Sequence, residues 1–103
     1  MDIQIPLTIK LMKDKQSQSA PWVAYTPELD VASCGPTQER AKRNLAEAVQ
    51  IVLKGATKDG NLKDLLLESG FEISKLEVKP PKVSIDTLNM QLNSEQSRQI
   101  WPV

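Results

Sequence analysis

Apolar residues at Ile3, Ile5, Leu7, Ile9 and Leu11 alternate with Gln4, Pro6, Thr8 and Lys10. This period of two predicts a strand over 3–11 with one buried face. Pro6 has no N–H to give a ladder, so it sits near the strand start or faces away from a neighbour. The polar run from Lys13 to Ala20 reads as a hairpin loop. Trp22–Tyr25 is then a second strand, broken at Pro27, and Val31–Cys34 a short third strand closed by Gly35-Pro36. The period next changes to 3.6, with Ala41, Leu45, Ala48, Val49 and Val52 on one helical face. That predicts a helix over 38–54, capped by Thr37, with Glu39 in its first turn and Lys54-Gly55 as its stop. A shorter helix follows, with Asn61 as cap, Leu62, Leu65 and Leu66 turned inward, and Ser69-Gly70 as its end. Phe71–Val78 reads as a fourth strand. Its apolar set shifts from Phe71 and Ile73 to Leu76 and Val78, the mark of a bulge.

Lys79-Pro80-Pro81-Lys82 is a stiff break, since each proline fixes its own backbone and disfavours helix in the residue before it. The chain therefore divides into a body, 1–78, and a C-terminal tail, 79–103. In the tail, Val83 and Ile85, then Leu88, Met90 and Leu92, give an extended pattern with one change of phase. Asn93-Ser94-Glu95 starts a helical turn that Pro102 ends. These apolar residues need cover, from the chain's own sheet or from a second copy. The fold class is α+β: three antiparallel strands, a helix pair and a fourth strand, with helices on one face of a small sheet and an extended tail.

Composition narrows the function. A chain of 103 residues with 40% hydrophobic positions builds one modest core. Thirteen basic residues against thirteen acidic ones give zero net charge, which argues against nucleic-acid binding by counterion release. There is no histidine, and the single cysteine, Cys34, rules out an internal disulfide and a cysteine-rich zinc site. With no histidine to activate it, Cys34 reads as a small core thiol. Met1-Asp2-Ile3-Gln4 does not resemble a secretory leader, and the longest apolar runs are far too short to span a bilayer. A cytoplasmic location is the expectation.

The run Trp22-Val23-Ala24-Tyr25-Thr26-Pro27-Glu28-Leu29-Asp30-Val31-Ala32-Ser33-Cys34-Gly35-Pro36-Thr37 continues through Glu39, Ala41, Asn44-Leu45, Glu47-Ala48-Val49 and Leu53. It resembles the HicB antitoxin family, in which a strand ends in a proline-plus-acid loop and a helix opens at threonine with an Asn-Leu-x-Glu-Ala centre. Ser69-Gly70-Phe71 is similar to that family's turn into its last core strand, which extends a weaker likeness to about residue 78. The resemblance implies a degenerate ribonuclease-H-like domain over 1–78 that covers the active surface of a small mRNA-cleaving toxin of HicA type. It implies no cofactor, no metal and no enzymatic step. Family members that repress their own operon carry a C-terminal DNA-binding module. Residues 81–103 are too few for one and hold only Lys82 and Arg98 as cations, so operator binding is not expected. The tail is instead expected to pair with that of a second copy in a symmetric dimer.

The chemical alternatives are weaker on the residues themselves. Two-metal hydrolysis needs converging carboxylates, yet the stretch from Ile3 to Leu11 contains no acid. Arg40, Lys42 and Arg43 spread around their helix rather than lining one stripe. Glu28 and Asp30, in the loop after the second strand, are the candidate partner-binding residues, because an RNA-cleaving toxin must present a cationic surface. Pro27 ends a strand, Gly35 supplies an unusual backbone angle and Thr37 caps the helix, while Asn44 either hydrogen-bonds a nearby loop or lies on the exposed surface. Two other readings stand beside the antitoxin: an orphan interaction module with a different protein partner, and a metal-dependent nuclease.

Overall fold

The computed structural model describes residues 3–75 and 77–101. β1 (Lys10–Lys13), β2 (Trp22–Thr26) and β3 (Val31–Gly35) form an antiparallel sheet in that order. The register pairs Leu11 with Ala24 and Ala24 with Ser33, one residue away from the pairs of Met12 with Val23 and Val23 with Cys34. Adjacent rows point to opposite faces. Leu11, Trp22, Ala24 and Val31 therefore pack with Ala41, Leu45 and Val49 of the first helix, forming the main core.

That helix, α1 (Gln38–Lys58), is capped as its sequence implies: the Arg40 amide donates to Thr37 Oγ1 at 3.1 Å. It runs four residues past Lys54, its expected last residue, and passes through Gly55. A Cβ at Gly55 would meet nothing within 4 Å, and the residue keeps a negative φ inside the helix. The stop lies instead at Gly60, whose φ is +73°. There the amides of Gly60 and Asn61 return to the carbonyls of Thr57 and Ala56 at 3.1 and 2.9 Å, the paired bonds that close a helix through a left-handed residue. The second helix, α2 (Leu62–Glu68), closes in the same way. Gly70 has φ +94°, and the Phe71 amide returns to the Leu66 carbonyl at 3.0 Å. Phe71 and Leu66 are both buried, which supplies the apolar contact this closure favours. Asn61 stands at the start of α2, where its backbone carbonyl accepts the Leu65 amide at 3.0 Å, but its side chain makes no cap bond.

Two expected strands take another form. The ladder expected over 3–11 exists only in β1, because β2 runs out. Extending the register places Thr8 opposite Pro27, which has no N–H, and Thr8 gives its own amide to the Glu28 carboxylate at 2.7 Å. Residues 3–9 still keep the alternation: Ile5, Leu7 and Ile9 line a groove against Leu45, Val49 and Leu53 of α1. The segment expected as one bulged strand over 71–78 is a separate hairpin, β4 (Glu72–Ile73) with β5 (Val78–Lys79). The Ser74 amide closes its turn on the Glu77 carbonyl at 3.0 Å. The change of phase is thus a reversal of direction, not an inserted residue; Leu76, at its centre, lies outside the described residues.

Beyond Pro80 no regular element occurs until α3 (Ser94–Ile100). Asn93 caps it reciprocally with Gln96, at 2.9 and 3.0 Å. The helix ends at Trp101; Pro102, the expected terminator, lies outside the described residues. The tail departs from the body: the radius of gyration is 18.3 Å, against about 13 Å for a compact chain of this length.

Candidate functional site

The residues that the sequence singles out converge on the turn between β2 and β3 and on the seam between β3 and α1. Pro27 follows the last residue of β2, and Asp30 turns the chain in the left-handed region, with φ +54°. Both acids of this turn have internal partners. Glu28 accepts the Thr8 amide through Oε1 and the Thr26 hydroxyl through Oε2 at 3.3 Å. Partial burial pushes the Glu28 carboxyl up, but the hydrogen bonds from Thr8, Thr26 and its own backbone outweigh it, and the group lies below its ordinary value. Glu28 therefore ties the N-terminal segment to the end of the sheet. Asp30 is exposed, and its Oδ1 accepts the Tyr25 hydroxyl at 2.8 Å. That bond, with desolvation and the nearby negative charge, raises the tyrosine's pKa.

At the seam, Asn44 Nδ2 donates to the Cys34 carbonyl at 2.8 Å and fixes α1 against β3. Gly35 has a structural role for a different reason from the expected one. Its φ is not positive; the helix passes so close that a Cβ would lie 2.7 Å from the Ala41 nitrogen. Glycine is required there by proximity rather than by backbone angle. Cys34 is not a core thiol. It is exposed, because the alternation that turns Val31, Ser33 and Gly35 toward α1 turns Ala32 and Cys34 away.

The sheet face opposite α1 is the feature that no single motif announces. Met12, Val23 and Cys34 form one row across the three strands, and Lys10, Tyr25 and Ala32 form the next. Among the described elements, α1 is the helix that packs extensively on this sheet, and it covers the other face. The open face is thus apolar along its middle, with Lys10 on one edge and Asp30 held at one end by Tyr25. The alternation of β2 and β3, had it been assigned to two faces with a single helix available to cover them, signals this surface.

Among the described residues no three of His, Cys, Asp and Glu come together as metal ligands, and no helix is long and apolar enough to cross a membrane. No protein-family profile, no curated protein and no solved structure matches this chain.

Proposed function

We propose that the chain is an antitoxin-like protein of HicB type, which binds a small mRNA-cleaving toxin of HicA type and blocks its RNA site by occupying it. The observation that carries this reading is the one-sided sheet, with a helix on one face and, on the other, a row in which exposed Met12 and Cys34 flank half-buried Val23. An apolar centre with a polar rim is what a protein partner buries. Asp30, exposed at the end of that face, offers charge to a surface built to hold RNA phosphates. Glu28 beside it supports the turn through Thr8 and keeps part of its side chain exposed.

No covalent step belongs to this mechanism. The two carboxylates of the turn act as hydrogen-bond acceptors, and the blocked toxin loses access to its substrate by steric exclusion. The test is complex formation by the purified chain with a HicA-type toxin, with Met12→Asp and Asp30→Lys as paired variants. The reading expects a stable complex, weakened by either change. A toxin that never binds, or one that binds both variants as tightly as the parent, overturns it; a different protein captured by the same face would identify an orphan interaction module.

A further inference from the structure

The tail and the N-terminal segment are two halves of a contact that one copy of the chain leaves unmade. Val83, Ile85, Leu88, Met90 and Leu92 are 48% to 84% exposed. Such a run of exposed large apolar side chains is the kind of surface that marks an interaction site. The apolar residues fall at every second position, with one change of phase, which is the pattern of a strand that lacks its sheet.

Residues 3–9 are the matching receiver. They keep strand alternation but belong to no ladder, since β2 ends at Thr26. Beside them runs a groove of about 290 Å³, lined by Ile3, Ile5, Leu53, Leu62, Leu66 and Val78 without a charged side chain. The arm leaves its own body beyond Val83, which lines a shallow pocket with Pro27, Glu28 and Glu68. Pro80 and Pro81 stiffen its root, and Pro81 packs close to Gly70, within 3.3 Å of where a Cβ there would lie. Zero formal charge over the chain, with Lys82 and Arg98 balanced by Asp86 and Glu95 within residues 81–103, leaves no strong repulsion between copies.

We infer that the occupant of this edge is a second copy of the chain: the arm at 83–92 of each protomer lies along residues 3–9 of the other, adding a strand and filling the apolar groove. The arrangement is reciprocal and closes as a two-fold dimer. It places the arm on the partner's N-terminal edge rather than against the partner's arm, and it stands whether or not the open sheet face binds a toxin.

The experiment is light scattering on the full chain over a concentration series, combined with hydrogen exchange at residues 3–9 and 83–92. Leu88→Asp with Met90→Asp is the test variant, and both positions are at least 75% exposed, so the body folds regardless. The parent is expected to have twice the chain mass, with slow exchange in both segments. Loss of two buried side chains from each arm is expected to weaken dimerisation by on the order of a thousandfold or more and to release exchange at 3–9. Three results overturn the inference: a parent that stays monomeric with fast exchange in the arm, a monomer whose arm is protected by folding back on its own body, and a dimer in which 3–9 exchanges as fast as in the variant.

Discussion

Glu28 tests the turn most sharply, because a single carboxylate joins three pieces of chain. Its Oε1 holds the amide of Thr8 at 2.7 Å and its Oε2 the Thr26 hydroxyl at 3.3 Å. A hydrogen bond to a charged group contributes about 1.5–3 kcal/mol, and the bond at Thr26 is long enough to add little. Glu28→Ala, which removes every acceptor, is expected to destabilise the fold by about 2–3 kcal/mol. Glu28→Gln keeps one acceptor without the charge and is expected to cost about 1 kcal/mol. In a domain of this size each kcal/mol lowers Tm by about 4–8 °C. The sign with pH follows from the lowered carboxyl. A group whose folded pKa lies below its unfolded one adds stability that is complete above the unfolded value of about 4.5 and vanishes as pH falls through the folded value. The gap between parent and Glu28→Gln is therefore constant near pH 7 and closes on acidification below about pH 4.5. Urea unfolding at several pH values reads the gap, and amide exchange at Thr8 reads the bond. Variants within 0.5 kcal/mol of the parent at neutral pH, or a gap indifferent to acid, would refute the clamp.

The other predictions bear on the seam, the helix ends and the open face. Gly35→Ala forces a methyl to within 2.7 Å of the α1 backbone and should cost about 1–3 kcal/mol in denaturant unfolding. Thr37→Ala removes the cap bond to the Arg40 amide and should lose about 1 kcal/mol. Gly60→Ala should lose about 1–2 kcal/mol, because it places a side chain at φ +73° in open space, where strain alone acts. Cys34, exposed on the open face, should react with a thiol reagent in the native state, without prior unfolding. A rate limited by global opening would place it in the core after all.

The body was legible where one period dominated. The three antiparallel strands, the helix face of Ala41, Leu45 and Val49, and the Thr37 cap all follow from alternation, 3.6-residue spacing and a hydroxyl before an acidic first turn. Ends were harder to read. Gly55 looks like a stop, but a glycine inside a helix differs from one beyond it only in φ, and Ala56 gives the helix reason to continue until Asp59-Gly60. The ladder of residues 3–9 was overestimated because alternation reports which side is apolar, not whether a neighbouring strand is long enough to pair. Ile73 and Val78 lie on opposite arms of a turn, and a turn and a bulge shift phase alike. The absence of histidine points Cys34 to the core, whereas its place in the alternation of β3 puts it outside. Charge alone groups Glu28 with Asp30; the fold distinguishes them, through the Thr8 amide that one holds and the Tyr25 hydroxyl that reaches the other.

The central claim is that this sheet acts by covering another macromolecule, and titrated inhibition of RNA cleavage measures it most directly. A fixed amount of a HicA-type toxin with a labelled mRNA, mixed with increasing chain, should lose cleavage linearly to an end point at a fixed molar ratio, with the chain alone leaving the RNA intact. Cleavage that continues undiminished at excess chain, or RNA degraded by the chain itself, would contradict the account.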